Sequence, residues 1–143
     1  FGGFFNKAKD SNTGKYKRPY YSLRNVNADK VLDIESKKKP GSATIYKPWG
    51  GDNQVFSFVD QGGQWLIKSK AKNQQGQDLY LTVDSDKDGA FVGLRPKTGQ
   101  PNQLFKISED EGHKTHLIYT FCGKVLEVLG RKKTMEQESA NTQ

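Results

Sequence analysis

VLDIESKKKPGSATIYKPWGGDNQVFSF, residues 31–58, contains two short apolar runs joined by loops that reverse the chain. Val31, Ile34, Ile45, Val55, Phe56 and Phe58 are β-branched or aromatic, and their short runs predict strands. KKKPGS and PWGGD place Pro and Gly where the chain must turn. The same stretch carries the chemistry of a small polar-ligand site. Asp33 accepts hydrogen bonds, Tyr46 offers an aromatic face, Asn53 both donates and accepts, and Gln54 stands beside it. No acid/base pair or activated nucleophile accompanies them, so the set suits binding better than turnover.

Working outward, the pattern recurs. Residues 80–107, YLTVDSDKDGAFVGLRPKTGQPNQLFKI, repeat it at a constant offset of 49 residues. Leu32 falls on Leu81, Ile34 on Val83, Tyr46 on Arg95, Asn53 on Asn102, Gln54 on Gln103 and Phe56 on Phe105. A third start appears at Val125-Leu126-Glu127-Val128, where Leu126 and Glu127 correspond to Leu32 and Asp33. A fixed period of this size decides the architecture. GKVLEV, VLDI and the two NQ-x-F segments resemble the ricin B-type (R-type) lectins, with Phe where that family's Gln-x-Trp signature usually has Trp. The resemblance runs from about Tyr20 to the end of the chain.

The expected fold class is all-β. A strand roughly every 8–14 residues, punctuated by Gly, Asn and Asp, supports it, and the resemblance implies a twelve-stranded β-trefoil of three pseudo-repeats at about 20–60, 64–108 and 115–143. Six of the strands would close into a barrel and so remove free sheet edges. Residues 20–143 are expected to form the lectin-like domain, and residues 1–19 an N-terminal extension. The third repeat does not finish within this sequence: its aromatic position falls at Ala140 and its Asn-Gln pair beyond Gln143, so either the sequence is truncated or another segment takes the place of the last strand. Strand one of the first repeat, YYSLRNV, then needs another partner. FGGFF, residues 1–5, is either a terminal tail or the segment that covers this gap, with Phe4 and Phe5 buried.

The resemblance also assigns roles. A sugar presents an apolar face of C–H bonds and a rim of hydroxyls, so its site needs an aromatic ring, a carboxylate for a pair of hydroxyls, and an amide. Asp33, Tyr46 and Asn53 match the family's residues for these tasks, Gln54 matches the residue that supports the aspartate, and Trp49 could add a second apolar contact. As a carboxylate at a site rim, Asp33 should serve the ligand more than the core. The second repeat has Thr82 at the acid position and Arg95 at the aromatic one, and the third has Glu127 with no aromatic. Neither should bind sugar in the family manner. The ligand implied is a terminal galactose or N-acetylgalactosamine-type sugar on a glycan, bound without catalysis and without a cofactor.

Composition leaves a second function class open. The chain has 23 Lys and Arg against 16 Asp and Glu, a formal charge of +7, which attracts polyanions. Lys37, Lys38 and Lys39, and Arg131, Lys132 and Lys133, each begin four residues after the repeat's acidic position. They are either solvated loop tips or a polyanion contact beside the glycan site. The alternative to a lectin is accordingly a protein- or polyanion-interaction trefoil, of protease-inhibitor, heparin-binding or actin-bundling type, whose loops carry function. A single weak sugar site would favour a homo-oligomer.

No run of about 18 apolar residues predicts a membrane span. One cysteine, Cys122, cannot form an internal disulfide, so secreted and cytoplasmic locations both stay open. The chain starts at Phe1 rather than Met, which fits a processed form or a fragment. Asp84-Ser85-Asp86-Lys87-Asp88-Gly89 resembles the opening of a calcium loop, but Arg95 stands where the closing Glu should be, and a hairpin turn is expected instead. His113, His116 and Cys122 do not have the spacing of a metal set.

Overall fold

The computed structural model describes residues 2–9, 16–25, 29–35, 42–110, 115–128 and 138–142. They form twelve strands and two single 3-10 turns. The first repeat contributes β2 (Tyr16–Asn25), β3 (Val31–Glu35), β4 (Ser42–Tyr46) and β5 (Phe56–Asp60). The second contributes β6 (Trp65–Lys72), β7 (Asp78–Val83), β8 (Val92–Arg95) and β9 (Lys106–Asp110). The third contributes β10 (Thr115–Tyr119), β11 (Val125–Val128) and β12 (Glu138–Thr142), and β1 (Gly2–Lys9) precedes them all.

The strands close. β1 pairs with β2, β2 with β5, β5 with β6, β9 with β10, and β10 returns to β1. The link from β6 to β9 is a reciprocal pair of backbone bonds between Trp65 and Phe105, at 2.8 and 2.9 Å. The result is a six-stranded ring. Three antiparallel hairpins, β3–β4, β7–β8 and β11–β12, complete the β-trefoil.

β1 holds the place that a fourth strand of the third repeat would take. It runs antiparallel to both neighbours, with Phe4 opposite Arg24, Phe5 opposite Leu23, and Gly2 opposite Leu117. The backbone groups of β2 and β10 therefore find partners, as a closed sheet requires. The segment expected as an extension thus includes a barrel strand, and Tyr20 falls within β2. The side chains of Phe4 and Phe5 are outside the described residues.

The core is shared among the repeats. Leu23, Ile45, Phe56, Ile67, Leu81, Phe105 and Ile118 are buried together. Phe56 and Phe105, the aromatic residues of the two NQ-x-F segments, are 0% and 1% exposed, so in the first two repeats this position anchors the chain in the core.

Candidate functional site

In the β3–β4 hairpin Val31 pairs with Tyr46, Leu32 with Ile45, Asp33 with Thr44, and Ile34 with Ala43. Because side chains alternate across a strand, Leu32, Ile34, Ala43 and Ile45 face the core, and Asp33 and Tyr46 lie on the opposite face. Asp33 and Tyr46 are diagonal neighbours there, a relation that generally spans roughly 7–8 Å.

The loop after β4 folds back over this outer face. Its 3-10 turn, Asp52–Gln54, aims two amides at the hairpin. Asn53 Nδ2 donates to Asp33 Oδ1 and to the Ile34 carbonyl, each at 3.0 Å. Gln54 Nε2 donates to Asp33 Oδ2 at 2.8 Å and to the Lys47 carbonyl at 2.9 Å, and its Oε1 accepts from the Trp49 backbone N–H at 2.9 Å. Gln54 is 2% exposed and fully engaged, so it acts on the site through Asp33 and the loop. Both Asn53 amide hydrogens are committed. Toward a ligand it can only accept.

Asp33 is 6% exposed, which corrects the expectation of a rim carboxylate indifferent to the core. Burial pushes its carboxyl above the ordinary aspartate range, and the hydrogen bond from Gln54 pulls it part of the way back. With Asn53 and Gln54 as donors, one to each oxygen, about two of the four or so lone-pair positions of the ionised carboxylate stay open, enough in number for a pair of hydroxyls.

Two aromatic side chains flank this frame, Tyr46 diagonal to Asp33 on the hairpin and Trp49 in the loop that Gln54 ties to the carboxylate. Tyr46 is 37% exposed and Trp49 61% exposed. The six-membered ring of Trp49 lies on the backbone at Gly51.

The second repeat reproduces the frame with different chemistry. Tyr80 pairs with Arg95 and Thr82 with Gly93, in the register of the first hairpin. Asn102 Nδ2 donates to the Val83 carbonyl at 3.0 Å, and Gln103 bridges the Pro96 carbonyl, the Thr98 N–H and the Thr82 hydroxyl. The Asn-Gln pair therefore secures the loop in both repeats. At the positions equivalent to Asp33, Tyr46 and Trp49 the second repeat has Thr82, Arg95 and Thr98. Arg95 is tied to Asp84 at 2.9 and 3.2 Å.

The same ion pair occupies the first acid of the calcium-like sequence. Asp88 is bound by Lys124 at 2.6 Å, and the stretch forms the turn between β7 and β8 with Gly89 at φ 75°. Among the described residues no group of three His, Cys, Asp or Glu side chains is placed to hold a metal ion. His113, the basic residues 37–39 and 131–133, and the side chain of Glu127 are outside the described residues.

A family model described as the ricin-type beta-trefoil lectin domain-like domain matches residues 7–90, more than half of the chain. The chain belongs to that family. The match starts within β1 and takes in the whole first repeat, including Asp33 and the Asn53-Gln54 turn. Family membership supports carbohydrate binding and suggests a domain that does not catalyse.

The ricin-type domain also has solved neighbours. ThreeFoil, a designed 3-fold symmetric protein, matches with TM-score 0.73 and 26% identity over 85% of this chain and 87% of that one. The exo-beta-1,3-galactanase 1,3Gal43A from Clostridium thermocellum matches with TM-score 0.71 and 25% identity, over 90% of this chain but 29% of the enzyme. A Macrolepiota procera ricin B-like lectin, solved in complex with lactose, matches with TM-score 0.69 and 22% identity over 85% of this chain and 83% of that one. No curated protein matches the chain. Sequence reasoning did not single out Gly51. The signal was available in the repeat alignment, where Gln100 occupies the equivalent position.

Proposed function

We propose that this ricin-type domain is a lectin with one working glycan site, in the first repeat, for a terminal galactose or N-acetylgalactosamine-type sugar. One observation carries the proposal: within one hydrogen-bonded frame, the first repeat has a carboxylate and two exposed rings where the second has Thr82, Arg95 and Thr98. Asp33 takes a pair of sugar hydroxyls, Asn53 accepts a third through its carbonyl oxygen, and Tyr46 stacks on the apolar face. Gln54 fixes the carboxylate. The galactose-type ligand rests on the family. The lactose complex of the Macrolepiota lectin and the galactanase neighbour make it the first sugar to test.

A single site of this kind binds weakly, and several copies would be needed for avidity. The test is titration of galactose, N-acetylgalactosamine and glucose at low and high salt, with Asp33→Asn as the control variant. The first two sugars should bind, their affinities should hardly change with salt, and the variant should lose at least about tenfold, as expected for a charged hydrogen-bond partner. Binding that collapses with salt would point to polyanion contact instead. Unchanged affinity in Asp33→Asn would remove Asp33 from the site.

A further inference from the structure

We infer that Gly51 is a positioning residue that seats the Trp49 indole, and that the seated ring is a second stacking surface making the site prefer an oligosaccharide to a free monosaccharide. The inference deepens the glycan-site proposal and rests on it for the ligand, but its structural half stands alone.

A Cβ on Gly51 would lie 2.1, 2.2 and 2.6 Å from three atoms of the Trp49 six-membered ring, closer than any side chain could remain. One face of the indole therefore rests on glycine backbone. With Trp49 61% exposed, the other face is open to solvent.

Backbone conformation gives no reason for this glycine. Gly51 has φ −70° and ψ 157°, extended values open to any residue, and Gln100 at the equivalent position has φ −89° and ψ 155°. The glycines that the turn does require are their neighbours, Gly50 at φ 80° and Gly99 at φ 77°. The repeats differ at the two positions together. Trp49 with Gly51 in the first becomes Thr98 with Gln100 in the second, where the Thr98 hydroxyl accepts from the Gln100 N–H at 3.1 Å. Without an indole to seat, the glycine is dispensable.

The loop that carries the seated ring is tied to Asp33 through Gln54, whose side chain accepts from the Trp49 backbone N–H and donates to the carboxylate, and Tyr46 lies diagonal to Asp33 on the hairpin. One pyranose face covers about one aromatic ring. A sugar held at Asp33 and stacked on Tyr46 leaves the Trp49 face for the next residue of the chain.

The experiment compares galactose with a galactosyl oligosaccharide on the wild type, Gly51→Ala and Trp49→Ala, and follows the Trp49 indole N–H signal by NMR in the free proteins. Gly51→Ser repeats the test if the alanine variant does not fold. The Trp49 signal should move in Gly51→Ala. Oligosaccharide affinity should fall roughly five- to tenfold, close to the loss in Trp49→Ala, with a smaller loss for galactose. An unmoved indole signal would overturn the seating role. Equal losses for the two sugars would overturn the oligosaccharide preference, because the rings would then be enclosing one sugar. If the wild type binds neither sugar, the glycan-site proposal fails and the stacking role with it, while the indole signal still decides whether Gly51 seats Trp49.

Discussion

Asp33 commits about half of its hydrogen-bonding capacity to the protein before a ligand arrives. Asn53 and Gln54 hold one oxygen each, at 3.0 and 2.8 Å. Asp33→Ala should consequently cost about 1–3 kcal/mol of stability through unsatisfied buried amides, as well as abolish binding. Chemical denaturation checks this, and an unchanged midpoint would mean that the amides find other partners. The same burial sets a pH dependence. Because desolvation raises the folded-state value of Asp33, its contribution favours the fold at low pH and is lost as pH rises through the raised value. Glycan affinity runs the other way, since the ionised carboxylate is the better acceptor. It should fall on acidification, starting above the pH range of an ordinary aspartate. A fall centred at or below that range, measured by titration calorimetry across pH, would contradict the assignment. Asp33, Asn53 and Gln54 were legible in the sequence because the repeat fixed their spacing. The resemblance also gave Gln54 as the support of Asp33, but the bond from Asn53 was not legible, since spacing does not say which donor meets which oxygen.

Among the elements, β1 decides whether the barrel closes. Its pairing with β2 and β10 gives both strands a second neighbour. Deleting residues 1–9 would expose two edges and forfeit several backbone bonds, each contributing about 0.5–1.5 kcal/mol. The truncated protein should melt well below the intact one or lose its cooperative transition, and a synthetic peptide of residues 1–9 should restore stability. Identical melting curves for the two forms would show that β1 is dispensable. The unfinished third repeat and the Phe-rich start pointed to this closure, because a barrel strand without a partner is costly. The length of β1, reaching Lys9 through the polar stretch NKAK, was not legible. Its polar residues fitted an extension outside the repeats, and only the strands on either side make it a strand. The two 3-10 turns were likewise hidden, as DNQ and PNQ lack periodicity.

For the molecule as a whole, one frame carries different chemistry in different repeats. The offset of 49 residues holds through strand register, 3-10 turns and amide bonds, which is why the fold was readable from the chain. Function was less readable, since the Asn-Gln pair persists in the second repeat where Asp33, Tyr46 and Trp49 give way to Thr82, Arg95 and Thr98. The central claim is that sugar binding belongs to the first repeat alone. It is tested most directly by following backbone amide signals of the whole protein during titration with lactose. The account predicts saturable shifts at Asp33 and through Tyr46–Gln54, with Thr82 and the loop from Arg95 to Gln103 unmoved. Matching shifts at the second-repeat positions, or saturable binding that leaves Asp33 and Trp49 unperturbed, would contradict it.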